Sequence, residues 1–292
     1  MAKIIMFTDL DGTLLHPKTY FFDAAMPALK LIKEKDIPLI LCSSKTRTEI
    51  EVYRKKLDNQ HPFISENGGG IFIPEGYFGF NPPKAEEGDL RDGCRMITLG
   101  KSYSEIRKAF ITIRERLGIK AKGFGDMSVK EIAALAGLTL TEAELAKQRE
   151  FDEPFLFEDL SPQVLSGEGE MRIKEFLKAI EDACLHWTQG RFYHILGDND
   201  KGKAVRVLKG FYEKAYGRIK TIGLGDRFND LPLLKQVDYP VLVQDEDGSY
   251  DARVNMPNLI RADGIGPEGW NKEVIKVIEA DVKKAHKQYI FP

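Results

Sequence analysis

An apolar run, Lys3-Ile4-Ile5-Met6-Phe7, ends in Thr8-Asp9-Leu10-Asp11-Gly12-Thr13, and this junction limits the architectures open to the chain. A short buried strand that stops at a Gly-Thr turn and carries two carboxylates past its end belongs at the carboxyl edge of a parallel sheet. Open α/β folds place their sites at that edge. With the pleat kept through Thr8, Asp9 and Asp11 leave it pointing the same way. The following segments continue the alternation. Asp23 is placed to cap a helix running to Lys35, with Pro27 early enough to cost little. Residues 37–42 form a second apolar strand, 46–57 a second helix, and Phe63-Ile64-Ser65 begins a third strand. A βαβαβ order predicts a parallel sheet with right-handed crossovers.

The texture changes near Pro82. Asn81-Pro82-Pro83 and the charged residues 84–89 read as a linker. Three capping-box patterns follow, Ser102 with Glu105, Ser128 with Glu131 and Thr141 with Glu144. The first opens a helix with Ile106, Phe110, Ile113 and Leu117 on one stripe, stopped by Gly118. Short strands are expected at 96–99, 120–124, 154–157 and 185–188, and residues 166–170 are expected as a surface loop. This describes a small α+β unit inserted into the α/β domain. The α/β pattern resumes after Arg191, with a helix at 201–216, strands at 219–224 and 239–243, and a final amphipathic helix at 271–284.

Bulk properties remove several classes of function. The 43 Lys and Arg nearly balance the 45 Asp and Glu, so a net charge of −2 gives no sign of a nucleic-acid or membrane surface. Cys42, Cys94 and Cys184 are too few and too scattered for a disulfide framework or a CxxC metal site. The five histidines have no ligand spacing, and Gly68-Gly69-Gly70 lacks the Lys-Ser/Thr of a P-loop. With the first strand at the very start and no apolar run of membrane length, a soluble cytoplasmic protein is expected.

Four segments are expected to converge on the carboxyl edge. Asp9 and Asp11 leave the first strand, and Ser43 ends the second, where its hydroxyl can meet a phosphoryl oxygen. Lys201, in Asp200-Lys201-Gly202-Lys203-Ala204, opens a helix with an ammonium able to neutralise developing charge. Gly225-Asp226-Arg227-Phe228-Asn229-Asp230 follows another strand and offers a third carboxylate for a hard cation.

Together these segments resemble the motifs of the haloacid dehalogenase superfamily of phosphotransferases. The resemblance implies a Rossmann-like parallel-sheet core formed by residues 1–82 and 191–292, with an inserted α+β cap domain at 83–190 that selects the substrate. It further implies Mg²⁺ held by Asp9, Asp226 and the Asp11 backbone carbonyl, with Asn229 and Asp230 supporting the metal shell. Asp9 is then the nucleophile and Asp11 the general acid and base, assisted by Ser43 and Lys201.

A finer likeness lies in Ser43-Ser44-Lys45-Thr46-Arg47, 62–68, 71–78, and Gly190-Arg191-Phe192-Tyr193, which resemble the mannosyl-3-phosphoglycerate phosphatase family. Members of that family release mannosylglycerate, a compatible solute, so the partner is a small phosphorylated glycoside. A glyceryl carboxylate beside the phosphate calls for cations, and Ser44, Lys45, Arg47, Asn67 and Arg191 are the candidate substrate-binding residues. A glucosyl-3-phosphoglycerate or broader sugar-phosphate phosphatase is the alternative within the superfamily. A phosphomutase, which shares the Asp-x-Asp and a similar cap but returns the phosphate to its substrate, is the alternative of a different reaction class, and a degenerate binding module is the non-enzyme one. A tryptophan in 266–270 is expected only to pack the last helix.

Overall fold

The computed structural model describes residues 2–80, 90–91, 93–158 and 167–290. The expected linker at 81–89 lies outside the described residues.

Among the described residues nine strands form the larger sheet, in the spatial order Ile260–Ile265, Tyr239–Gln244, Ile219–Gly225, Lys3–Thr8, Leu39–Cys42, Phe63–Ser65, Gly70–Pro74, Cys94–Thr98 and Leu90–Arg91. The first six are parallel and the last three antiparallel. The chain leaves the central Lys3–Thr8 strand toward one side and later returns to build the other. The crevice between Lys3–Thr8 and Ile219–Gly225 is therefore the switch point where α/β sheets bind ligands.

The pleat sorts the first strand's side chains between two cores. Met6 packs with Leu41, Phe63 and Trp270, whereas Ile5 and Phe7 pack with Ile40, Leu208 and Tyr212 under the Lys201–Tyr216 helix. Asp9 continues the Ile5 and Phe7 side and so faces that helix's first residue. Trp270 is fully buried and donates from Nε1 to Thr8 Oγ1 at 3.0 Å, the packing role expected of it.

A second, antiparallel sheet of four strands among the described residues runs in the order Ala121–Gly123, Asp152–Phe157, Tyr193–Leu196 and His186–Gln189. One face is covered by the Tyr103–Leu117 and Gly167–Asp182 helices through Phe110, Phe155, Phe176 and Ile180. Leu156 and Phe192 point the other way, toward Phe124, Ile132 and Ala143. That second face looks onto the carboxyl edge of the large sheet.

Several local expectations are corrected. Asp23 caps no helix. It begins a single 3-10 turn, Asp23–Ala25, ahead of the Met26–Glu34 helix. Pro27 needs no acceptor in that first turn, and the Ala28 N–H is met from another element, by Asn271 Oδ1 at 2.9 Å. The capping boxes at Ser102 and Ser128 form, but the third is Thr139 with Glu142 and not Thr141 with Glu144. The left-handed Gly137 ends the preceding helix and leaves Thr139 extended two residues later.

Residues 167–170, read as loop, are the first turn of the Gly167–Asp182 helix, and Ser166 lies outside the described residues. The strand expected at 96–99 is Cys94–Thr98, and it belongs to the large sheet, because Met96 buries beside Phe72 in the same cluster. Tyr193–Leu196 conversely pairs within the small sheet, so strand pairing does not follow the expected 83–190 division. The Gly70–Pro74, Tyr193–Leu196 and Ile260–Ile265 strands were not anticipated, and the last helix is longer, Pro267–Ile290.

Candidate active site

Four acidic or basic side chains meet in the crevice with almost no access to water. Lys201 Nζ lies 2.6 Å from Asp9 Oδ1 and 2.6 Å from Asp230 Oδ1, and its side chain is fully buried. Asp230 Oδ2 accepts the backbone N–H groups of Asp226 and Arg227 at 3.0 and 3.2 Å, so this carboxylate is occupied on both oxygens. Asp226 Oδ1 accepts from Thr13 Oγ1 at 3.0 Å, and Arg227 Nε stands 3.2 Å from Oδ2. One carboxylate oxygen from each of Asp9, Asp226 and Asp230 falls within 4.8 Å of the others.

Burial pushes the Asp9 carboxyl up to about 7, against the pull of Lys201 and with the help of Asp230 and Asp11. Burial, then Asp230 and Asp9, raise Asp226 well above the carboxylate range. Burial alone would lower Lys201, but Asp230 and Asp9 hold its ammonium above the ordinary value. The site thus sets three buried carboxylates against the Lys201 ammonium and an Arg227 guanidinium that Asp245 also holds. A hard divalent cation with oxygen ligands fits that imbalance. Asp9, Asp226 and Asp230 are the carboxylates close enough together to hold it.

Gly12 makes the approach possible. Its φ of +80° is open to glycine, and a Cβ there would stand 2.4 Å from Asp226 Oδ2. Gly202 does the same for Lys201, since a Cβ would meet Pro232 O at 2.3 Å and push the helix away from the 228–234 segment.

Asp11 reaches the same cavity as Asp9 and Asp226, one of about 100 Å³ between the two sheets. Its Oδ2 pairs with Lys45 Nζ at 3.1 Å, whereas its Oδ1 is buried with no hydrogen-bond partner. Lys45 also lies 3.3 Å from Glu49 and 5.1 Å from the Tyr20 ring centre. Burial opposes its charge, yet Asp11 and Glu49 hold the ammonium well above its usual value. Ser44 lines the cavity with Lys45. Ser43 sits behind them, fully buried, its Oγ accepting the Lys45 N–H at 3.2 Å. Arg47 is not brought in. It turns outward to Glu51 and Glu150, at 3.1 and 3.6 Å.

Asn67 occupies a strained turn after the third strand, at φ +53° beside Glu66 at +46°. It joins the layers by donating to Asp152 Oδ2 at 3.0 Å and accepting from Asn229 Nδ2 at 3.2 Å. Arg191 is not where the inserted unit rejoins the core. It lies at the hairpin tip between His186–Gln189 and Tyr193–Leu196, and that tip reaches down to Asn229, within 3.3 Å of a Cβ built on Gly190.

A group of residues with no motif completes the cavity. Arg149 pairs with Asp152, lies 3.4 Å from Glu66 Oε2, and donates to Ser44 O at 2.9 Å. His194 Nδ1 stands 3.0 Å from Asp152 Oδ2. Its burial, with Arg149 and Lys201 nearby, lowers it well below the usual range and keeps it neutral. The available sequence signal was faint: Arg149, Asp152 and Glu153 are charged residues at the mouth of a buried strand.

The chain is similar to several known proteins. The model of the haloacid dehalogenase-like hydrolase family matches residues 6–78. A glucosyl-3-phosphoglycerate/mannosyl-3-phosphoglycerate phosphatase of Methanococcoides burtonii is 47% identical over 277 residues, covering 94% of this chain and 97% of that protein. A mannosyl-3-phosphoglycerate phosphatase of Pyrococcus horikoshii is 35% identical over 82% of this chain and 90% of its own length. A crystal structure from Thermoplasma acidophilum superposes with a TM-score of 0.66 over 96% of this chain and 99% of that one. At 14% identity that likeness speaks to the fold alone.

Proposed function

Since the chain belongs to the mannosyl-3-phosphoglycerate phosphatase family of haloacid dehalogenase-like hydrolases, we propose that it cleaves mannosyl-3-phosphoglycerate to mannosylglycerate and phosphate through an aspartyl-phosphate on Asp9. The observation that carries this reading is the buried Asp9–Lys201–Asp230 chain beside Asp226 and Asp11, at the mouth of a cavity closed by the second sheet.

Asp9 attacks phosphorus, and its new O–P bond forms as the ester O–P bond breaks. Asp11 gives its proton to the departing alkoxide, then takes one from the water that attacks the acyl phosphate and frees Asp9. Lys201 offsets charge on Asp9 and on the phosphoryl oxygens throughout. Mg²⁺, held by Asp9, Asp226 and the Asp11 carbonyl with Asn229 and Asp230 behind them, would neutralise the phosphoryl group and orient in-line attack. Ser43 holds the backbone that presents Ser44 and Lys45, and Asn67 ties that wall to the second sheet. We take residues from about Lys101 to Leu196 as the substrate-selecting cap, over a core made from the rest. Among the described residues no helix is long and apolar enough to cross a membrane, and the cytoplasm fits the free Cys42, Cys94 and Cys184.

The relative from Methanococcoides, named for both sugars, favours glucosyl-3-phosphoglycerate as a second substrate. Phosphate release from both glycosyl-3-phosphoglycerates, beside a sugar-phosphate panel, with Mg²⁺ and with EDTA, tests the reading, with Asp9→Asn as control. Metal-dependent release selective for a glycosyl-3-phosphoglycerate and lost in the variant is expected. Equal release from simple sugar phosphates would discard the substrate, and isomerisation without release would discard hydrolysis.

A further inference from the structure

The cavity is bordered by four permanent or near-permanent cations, and three are already neutralised by carboxylates. Lys45 pairs with Asp11 and Glu49. Arg149 pairs with Asp152 and Glu66. Arg227 pairs with Asp226 and Asp245.

The fourth, Arg191, has no carboxylate within ion-pair distance among the described residues. Its partners are neutral. Nη1 donates to Ala136 O at 2.8 Å and to Tyr20 Oη at 3.2 Å, and Nη2 donates to Leu135 O at 3.0 Å. The two carbonyls belong to the carboxyl end of the Val129–Ala136 helix, whose dipole offsets about half an elementary charge. The rest of its charge faces solvent at the exposed rim of the cavity, with no carboxylate beside it among the described residues.

Hydrogen-bond counting says which edge is free. A guanidinium carries five N–H groups. The three bonds above leave one on Nε and one on Nη2, and these lie side by side on one edge of the planar group. That edge has the spacing of a carboxylate's two oxygens.

Tyr20 holds this arrangement from the core side. Its backbone is in the left-handed region at φ +56°, a conformation that a bulky aromatic residue adopts only when its surroundings impose it. The ring covers Lys45, and the hydroxyl donates to Ala136 O at 2.9 Å while accepting from Arg191. One side chain therefore spans the cation on Asp11 and the unneutralised cation of the hairpin tip.

We propose that Arg191 binds the carboxylate that a glyceryl phosphate carries beside its phosphate, with Tyr20 as the residue that positions it. The proposal rests on the phosphatase reading of the cavity and gives the site a means of separating phosphoglycerate esters from plain sugar phosphates.

3-Phosphoglycerate and glycerol 3-phosphate differ only in a carboxylate against a hydroxymethyl group, and they isolate this contact. Their binding is measured by titration calorimetry with Mg²⁺ in the non-turnover Asp9→Asn protein, alone and with Arg191→Met, Arg191→Lys or Tyr20→Phe added. Asp9→Asn alone is expected to bind 3-phosphoglycerate at least tenfold more tightly. Arg191→Met closes that gap, Arg191→Lys keeps part of it, and Tyr20→Phe narrows it severalfold. An undiminished gap in Arg191→Met, an equal loss for both compounds, or no gap in the parent overturns the proposal. The family substrate is tested separately by phosphate release from glycosyl-3-phosphoglycerates. Failure there with the gap intact rejects the substrate and keeps the carboxylate site.

Discussion

The Lys201 ammonium touches Asp9 at 2.6 Å in a place water does not reach, and the same nitrogen is 2.6 Å from Asp230. An ammonium between two buried carboxylates is stable only because each group cancels the desolvation cost of the others. Replacing it with methionine keeps the volume and removes the charge. Lys201→Met is expected to lower turnover by about 10²–10³-fold. It should also destabilise the fold by about 3–5 kcal/mol, since two buried acids are left facing each other. Phosphate-release kinetics and urea unfolding with and without Mg²⁺ check both numbers. A variant as stable as the parent would show that the pair is solvated.

Asp11 is divided between two tasks, its Oδ2 tied to Lys45 and its Oδ1 buried without a partner. The untied oxygen is the one able to carry a proton to a leaving alkoxide. Asp11→Asn should therefore cost about 10²–10⁴-fold on a sugar-alcohol ester, whose alkoxide needs that proton. On p-nitrophenyl phosphate, whose leaving group departs unprotonated, the loss should be at least tenfold smaller. Equal losses on the two would assign Asp11 to holding the site's shape.

Gly12 stands against Asp226 so closely that a methyl group has nowhere to go. Gly12→Ala adds a left-handed strain of about 1–2 kcal/mol and displaces the Asp226 carboxylate. The expected protein is folded by circular dichroism but needs at least ten times more Mg²⁺ for half-maximal activity. An unchanged metal requirement would remove Asp226 from the metal site.

The parts of this site readable from sequence are those whose chemistry is local. Asp9 and Asp11 could be placed because a strand's period of two fixes where its end points. Lys201 and Asp226 could be placed because each begins or follows a regular element with an obvious partner edge. Arg47 was misread because it opens the Arg47–Lys56 helix and pairs with Glu51 one turn on and with Glu150 of another segment, which takes it from the cavity. The Arg149–Asp152–His194 group was invisible for a different reason. Its members come from a loop and two strands of the small sheet, and only antiparallel pairing brings Asp152 and His194 together. The helix start at Asp23 failed similarly, because its missing acceptor is Asn271, 243 residues from Ala28. Contacts made across the fold leave no trace in local spacing.

Glu66 links the two layers, and its titration should be visible in the stability of the whole protein. Its carboxylate accepts the backbone N–H groups of Glu150, Phe151 and Asp152 at 2.8–3.0 Å, just where the chain enters the second sheet. Burial nevertheless outweighs those donors and Arg149, and pushes the group from 4.5 up to about 7. The folded state thus prefers the protonated acid more than the unfolded chain does. The resulting stabilisation is complete below about pH 4.5 and is lost as pH rises through 7. A shift of this size corresponds to on the order of 3 kcal/mol. Glu66→Gln cannot titrate, so the difference in urea unfolding free energy between parent and variant should move against the parent between pH 5 and pH 8.5. The decline should have the slope of a single proton between about pH 4.5 and 7 and level off above 7. Parallel pH curves for the two proteins would mean that the three N–H donors keep Glu66 ionised throughout. The latch between the layers would then be a charge-assisted one that does not respond to pH.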